Sequence, residues 1–321
     1  MPHRPFRFAV QATNAASGAQ WRQLATTVED LGYSTLLLAD HYLGPGPAQR
    51  AAHTPRQDLA PIAAMAMAAA ATTTLRVGCR VFCVDYHVPA VLAKEAATLD
   101  LLSDGRLEFG IGAGWSEGEY RAMGLDFDRP GRRIDKLQEV VALFKEHCAG
   151  EQLSRTGEFV NVAGYAGRPR SVQQPHPPIM IGGGRRRVLS FAARAADIVS
   201  ISNVPFEHRN ADGLSPAEEA MRRIGYVRDA AGARLTDLDV ESSPYFTTVT
   251  SDPASALQTI SADTGLPLPV LTDHPNVLAG PVPSIIETLQ ARRERFGINY
   301  VTIQQAQLEA FAPVVTALTG R

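Results

Sequence analysis

The sequence has few cysteines and almost no excess of charge of either sign. Its three cysteines, Cys79, Cys83 and Cys148, cannot all pair with one another, which predicts a reduced, cytoplasmic protein. A formal net charge of −2 provides no basic field that would attract nucleic acid or an anionic membrane. The longest apolar run, residues 60–71, is shorter than the roughly 20 residues that span a bilayer. We therefore expect neither nucleic acid nor a membrane as a partner.

Motifs of several common site classes are also missing. The eight histidines show neither H-E-x-x-H nor another paired metal spacing, which predicts no metal site. The first residues, MPHRPFRF, have no apolar segment behind their basic end, so we expect no signal peptide. Gly112 and Gly114 are followed by Glu117 where G-x-G-x-x-G requires a third glycine, which disfavours a Rossmann dinucleotide site.

What the sequence does contain is a repeated alternation of strands and helices. Eight apolar segments have strand patterns: residues 6–11, 35–39, 75–84, 107–111, 178–181, 197–201, 240–249 and 299–303. Nearly every one is followed by a helical pattern, which predicts a (β/α)8 TIM barrel occupying residues 1–321 as a single domain. The Gly/Arg/Pro-rich segment 150–177 is interpreted as an insertion, with a small hairpin around Phe159. A doubly wound open sheet is the alternative fold.

Two groups of residues follow predicted strands, where the active-site mouth of a barrel lies. Gly110, Gly112 and Gly114 bring bare backbone to one strand end, where glycine allows positive φ and lets a ligand approach. Asp40 and His41 follow the second strand, and an acid beside an imidazole can fix its tautomer or supply a proton. The alternative interpretation is structural: Asp40 and His41 could cap the start of the loop that follows the strand.

A third group, Gly182, Gly183 and Gly184, precedes a predicted helix that begins near Arg185. Bare N–H groups at a helix N-terminus favour an anion, and Arg185, Arg186 and Arg187 could add charge-assisted contacts. The pattern predicts a phosphate site, with a flexible loop beside a solvated basic run as the alternative.

The segment 114–118 also matches G-x-S-x-G, the nucleophile elbow of α/β-hydrolases, with Ser116 as the nucleophile. This makes a hydrolase the competing enzyme class. No HGG-type oxyanion loop lies upstream, and the strand–helix count suits a closed barrel better.

Taken together, these residues resemble the luciferase-like monooxygenase superfamily, and within it the oxidoreductases that depend on the deazaflavin coenzyme F420. The matching segments are residues 38–41, residues 75–78 with Val81, residues 96–120 and residues 178–197. The resemblance implies a (β/α)8 barrel with an insertion segment and, usually, a homodimer.

The resemblance also implies roles for residues of this chain. The coenzyme ring would lie over the barrel mouth, its back face supported by a bulge at Arg80–Val81–Phe82 that often contains a non-proline cis peptide. Asp40 and His41 would lie at the reactive edge. The remaining contacts would come from two backbone segments and one arginine: Gly112, Ala113 and Gly114 along the ring or ribityl chain, and Gly182, Gly183, Gly184 and Arg185 at the phosphate.

Some deazaflavin dehydrogenases have a glutamate proton donor after the glycine pair, where this chain has Trp115. That departure argues against sugar-phosphate dehydrogenation by that route. We expect hydride transfer between F420 and a small unsaturated or carbonyl molecule, with His41 aiding proton transfer and segments 43–58 and 150–177 shaping the pocket. A reduced-FMN monooxygenase on the same barrel and a coenzyme carrier without turnover are the alternatives.

Overall fold

The computed structural model describes residues 4–43, 56–150, 152–201 and 204–321. Its strands are β1 (Arg7–Gln11), β2 (Thr35–Leu38), β3 (Arg76–Cys79), β4 (Phe82–Cys83), β5 (Leu107–Gly112), β6 (Gln152–Thr156), β7 (Asn161–Ala166), β8 (Ile179–Gly183), β9 (Ile198–Ile201), β10 (Asp239–Ser242), β11 (Phe246–Val249), β12 (Val277–Gly280) and β13 (Tyr300–Gln304). Its α-helices are α1 (Gly18–Asp30), α2 (Pro61–Ala71), α3 (Pro89–Leu102), α4 (Glu117–Ala122), α5 (Pro130–Ala149), α6 (Arg186–Ala195), α7 (Pro216–Ala231), α8 (Pro253–Thr264), α9 (Leu268–Thr272), α10 (Val282–Phe296) and α11 (Leu308–Leu318).

Eight parallel strands form a closed barrel. Strands β3, β2, β1, β13, β10, β9, β8 and β5 lie side by side in that order, and β5 pairs back with β3 to close the circle. The burial pattern explains the arrangement, because β2, β9 and β10 are buried at every position and therefore need cover on both faces. The (β/α)8 barrel predicted from the sequence is confirmed, and the open sheet is excluded.

The third barrel strand is interrupted. It leaves the sheet after Cys79 and resumes as β4, where Phe82 lies opposite Ile111, and the Arg80–Val81 peptide between the two parts is cis. The bulge predicted at Arg80–Val81–Phe82 is therefore confirmed. A Cβ atom at Gly110 would overlap the carbonyl oxygen of Cys79. Gly110 is thus required by the close approach of the bulge, and the interpretation that it makes room for a ligand is wrong.

The predicted strand 240–249 is two strands with different partners. Strand β10 stays in the barrel, whereas β11 pairs in parallel with β12, which the sequence analysis did not predict. Pro244 lies between them, and proline cannot donate to a strand ladder. The turn allows Tyr245 and Phe246 to pack in a separate small core with Leu271 and Val277. The short helix α9 contributes Leu271 to this core.

The segment predicted as an insertion contains an antiparallel hairpin of β6 and β7. Its strands flank residues 157–160, so the predicted hairpin around Phe159 is confirmed. Within the described ranges, no helix combines the length and the apolar character needed to cross a membrane.

The amino-terminal end of the barrel is filled by a buried ion cluster. The Glu108 carboxylate accepts hydrogen bonds from Arg7 at 2.8 Å, from Arg76 at 3.0 Å and from the Tyr300 hydroxyl at 2.9 Å. Burial by itself lowers the pKa of Arg7, but the charges of Glu108, Tyr300 and Asp239 together outweigh it and raise that pKa. Paired charges therefore fill the barrel interior at this end.

Candidate active site

A cavity of about 490 Å³ opens at the carboxyl ends of the barrel strands. This volume is within the range of small-molecule sites. Twelve of the site residues predicted from the sequence line it: Asp40, His41, Arg80, Val81, Phe82, Gly112, Ala113, Gly114, Gly182, Gly183, Gly184 and Arg185. The structure thus brings these twelve together, although their contacts with a coenzyme remain predictions.

His41 has a carboxylate partner that the sequence analysis missed. Its Nδ1 lies 3.0 Å from Oε2 of Glu119, a buried residue of α4. The other carboxylate oxygen accepts the backbone N–H groups of Tyr42 at 2.7 Å and Leu43 at 3.0 Å. The hydroxyl of Tyr86 donates to Oε2 at 3.1 Å. Glu119 therefore fixes both the imidazole and the segment that carries it.

The pKa of Glu119 is lowered although the residue is buried. Burial by itself raises it, but hydrogen bonds from His41 and from the N–H groups of Leu43 and Tyr42 outweigh that effect. An ionised carboxylate can only accept, so Nδ1 of His41 carries the hydrogen and Nε2 is left for a ligand. The stabilisation from Glu119 is complete above the ordinary carboxyl pKa of 4.5 and is lost as pH falls through the lowered value.

Asp40 has other partners than the neighbouring imidazole. Its Oδ2 accepts hydrogen bonds from the backbone N–H of Cys83 at 3.0 Å and from Nε2 of His87 at 2.8 Å. It therefore ties the end of β2 to β4 and the loop beyond. In this structure, Glu119 rather than Asp40 holds the His41 ring.

Arg80 is neutralised inside the barrel. Its Nε lies 2.9 Å from Oε1 of Glu241 on β10, and Ser200 on β9 donates to the other oxygen of that carboxylate at 2.5 Å. Burial by itself lowers the pKa of Arg80, but the charges and hydrogen bonds of Glu241 and Tyr245 together outweigh it and raise that pKa. The Arg80 side chain thus supports the floor of the cavity from below.

The far wall of the cavity carries two further arginines that the sequence analysis did not single out. Arg223 on α7 is paired with Glu219 at 2.8 Å, and a Cβ atom at Gly184 would lie 2.7 Å from its Nη1. The missing side chain of Gly184 therefore lets this guanidinium reach the glycine loop. Burial lowers the pKa of Arg223, and Glu219 opposes that effect.

Arg133 on α5 is buried and bonds backbone oxygens, with Nε donating to Ala113 at 3.1 Å and Nη1 to Asp128 at 2.5 Å. Its guanidinium lies 3.8 Å from the Phe127 ring centroid. Within the part of the chain that the structure describes, it has no carboxylate partner. Such a charge is well placed to attract an anion.

Only one of the three consecutive arginines predicted at the phosphate lines the cavity. Arg185 lies there, whereas Arg186 lies over the Tyr226 ring and Arg187 is paired with Asp135. No side-chain cap occupies the first turn of α6, so its N–H groups remain available beside Arg185. The loop has the donors that an anion needs.

Trp115 and Ser116 complete the rim of the cavity. The Trp115 ring is 46% exposed and meets His41 edge to face at 5.6 Å between centroids. Ser116 lies in a βα loop of a closed barrel. Because the nucleophile elbow belongs to the open sheet of an α/β-hydrolase, the hydrolase interpretation is wrong.

Comparisons with known proteins agree with this geometry. The family model described as luciferase-like monooxygenase matches residues 4–296. The FMNH(2)-dependent dimethylsulfone monooxygenase of Pseudomonas putida is 32% identical over 109 residues, which cover 34% of this chain and 30% of that enzyme. The match therefore covers less than a third of that relative's length.

Two solved structures share the fold over almost the whole chain. The monooxygenase RslO1 of Streptomyces bottropensis has a TM-score of 0.76 at 21% identity, covering 97% of this chain and 99% of its own. The coenzyme F420 dependent tetrahydromethanopterin reductase of Methanopyrus kandleri has a TM-score of 0.74 at 16% identity. The match covers 98% of this chain and 100% of that enzyme. With the family model matched over most of its length, the chain belongs to the luciferase-like monooxygenase family.

Proposed function

We propose that the protein is an F420-dependent oxidoreductase that transfers a hydride between the deazaflavin and a small organic molecule. The observation that carries this proposal is the wall of guanidinium groups beside the glycine loop, formed by Arg133, Arg185 and Arg223, of which Arg223 is paired with Glu219. F420 has a phosphodiester and a tail with several carboxylates, whereas FMN has a single phosphate. A wall with three guanidinium groups matches the larger number of anionic groups.

The residues of the cavity fit such a coenzyme. Gly182, Gly183, Gly184 and Arg185 would hold the phosphate, and Val81 with Gly112 would contact the ring. When bound, the deazaflavin would supply a two-electron hydride carrier that reacts poorly with oxygen. The protein's own part is to position both reactants, exclude water and hold a proton at Nε2 of His41, the nitrogen that Glu119 leaves available.

Arg185 provides a test of the phosphate contact. Arg185→Gln should weaken F420 binding by about 10- to 100-fold, because one charge-assisted hydrogen bond to the phosphate is lost. Arg186→Gln, on the next residue but outside the cavity, should change it little. Both are measured by fluorescence quenching of F420 and of FMN side by side. Equal effects of the two variants would contradict the phosphate assignment, and tighter binding of FMN would contradict the choice of coenzyme.

A reduced-FMN monooxygenase is the second candidate, favoured by the Pseudomonas putida relative, whose name states FMNH(2) dependence. It is distinguished by oxygen consumption with FMN and a flavin reductase present. A carrier without turnover would bind coenzyme and show no oxidation or reduction of any added substrate.

We also propose that the protein forms a homodimer, as the resemblance implies. Helices α2 and α3 expose an apolar groove that includes Leu102, which is 70% exposed, with Lys94 and Glu95 in its wall. Opposite charges side by side permit two-fold pairing of two copies. Leu102→Lys should shift light-scattering mass from dimer to monomer, whereas Leu268→Lys, at an exposed site on α9, should not. A wild-type monomer, or a dimer that survives Leu102→Lys, would contradict this interface.

A further inference from the structure

A second cavity, of about 630 Å³, adjoins the first at the barrel mouth. Gln11 at the end of β1 and Tyr245 before β11 line both cavities. The second one lies between the ends of β1 and β13, strand β11 and helix α8. Its position places a molecule bound there next to whatever the first cavity holds.

The lining of the second cavity is mixed in polarity and almost uncharged. Besides Gln11 and Tyr245, its hydroxyl and amide side chains are Thr13, Asn14, Thr247, Thr248, Thr259, Gln304, Gln305 and Gln307, and its apolar side chains include Phe246 and Ile260. Among the described residues that line it there is no lysine, arginine or histidine, and the single acid, Asp263, is exposed to solvent. An anionic ligand would find no counter-charge there, and an apolar one would offer no hydrogen bond to the buried Thr13 hydroxyl, which has no partner among the described residues.

Two polar groups in this lining are buried without strong contacts. Thr13 is only 4% exposed, and its Oγ1 has no hydrogen-bond partner among the described residues. The buried amides of Gln11 and Gln304 meet at a long distance of 3.4 Å. Because buried polar atoms in proteins nearly always have a partner, the unpaired Thr13 hydroxyl points to one supplied by a ligand or a bound water.

We propose that the second cavity binds the substrate, and that this substrate is a neutral molecule with several hydroxyl or amide groups. The chemical step would take place where the two cavities meet, beside Gln11 and Tyr245. The role as substrate rests on the proposed oxidoreductase function, whereas the binding of this chemical class can be measured without coenzyme.

Ligand-observed NMR tests the class with size-matched probes, 1,5-anhydroglucitol as a neutral polyol and gluconate as an anion. We expect the polyol to bind in the millimolar range and gluconate to bind far more weakly. Thr13→Val, which keeps the shape of the side chain, should weaken polyol binding about 5- to 10-fold through loss of one hydrogen bond. Thr236→Val, on an exposed turn, should leave it unchanged. Thr259→Val is the second cavity variant, used if Thr13→Val fails to fold.

Preferred binding of gluconate, no binding of the polyol, or equal binding by wild type and both cavity variants would overturn the inference. F420 titration of the same samples separates the two proposals. F420 binding without polyol binding would refute the second cavity's role alone, and polyol binding without F420 binding would refute the coenzyme assignment alone.

Discussion

Alanine at position 41 should lower turnover of the coenzyme-loaded protein by about 10²- to 10⁴-fold, the usual contribution of a positioned acid or base. His41 lines the cavity, and its Nδ1 is held by Glu119, so that Nε2 is the atom available to a reacting group. Coenzyme affinity should change little, because the phosphate contacts that we propose lie at Gly182–Gly184 and Arg185, not at His41. Steady-state rates and fluorescence titration measure the two quantities separately.

Glu119→Gln tests whether the carboxylate acts through the imidazole. The side-chain amide of glutamine can donate an N–H to Nδ1. That hydrogen bond favours the other imidazole tautomer, in which the hydrogen is on Nε2. We expect a large loss of turnover together with a changed pH dependence of the rate. Tyr86→Phe removes another donor to the same oxygen but leaves His41 in place, so turnover should fall much less than in Glu119→Gln.

His208→Ala provides the control for histidine loss, since His208 is exposed and outside the cavity. Unchanged turnover of His41→Ala at saturating coenzyme would remove His41 from the mechanism. If a Glu119→Gln variant loses stability but keeps its rate and pH profile, the role of Glu119 is structural only.

Alanine at position 110 should destabilise the fold by about 3 kcal/mol or more, the upper range for overpacking a rigid site. The added methyl would overlap the Cys79 carbonyl oxygen, which is backbone and cannot rotate away. Strand β5 would have to separate from the bulge that follows β3. Urea unfolding followed by circular dichroism measures the free energy of unfolding.

Gly225→Ala is the matched control. Gly225 lies inside α7, and beyond the helix's own backbone no atom of the described residues lies within 4 Å of the position that its Cβ would take. Alanine has a higher helix propensity than glycine, so the free energy of unfolding of this variant should be higher by about 0.5–1 kcal/mol. A Gly110→Ala protein as stable as wild type would show that the bulge can move away from β5.

The sequence was sufficient to predict the barrel and the segments at its mouth, because strand patterns, glycines and turn residues are local signals. It could not reveal partners that only the closed barrel brings together. His41 and Glu119 are 78 residues apart, and Arg80 and Glu241 are 161 apart. Glu117 and Glu119 look alike in the sequence, yet only Glu119 faces inward, since α4 buries that side.

For Gly110, the sequence analysis singled out the right residue but gave the wrong physical reason for it. Glycine at position 110 is needed, but the atom that requires it is the carbonyl oxygen of Cys79 rather than a ligand. Besides Arg185, a second arginine reaches the glycine loop from α7, because the absence of a side chain at Gly184 leaves room for Arg223. The unpredicted strand β12 exists because Pro244 turns β11 out of the barrel towards it.

The two hydrogen bonds from Tyr42 and Leu43 to Glu119 have a consequence for how this protein can diversify. They fasten the chain immediately after His41 to α4, so one carboxylate positions both the imidazole and the backbone that carries it. Sequence changes at Glu117 and Gly118, on the exposed side of α4, leave these contacts in place. The outer face of this helix can therefore diversify while Glu119 is retained.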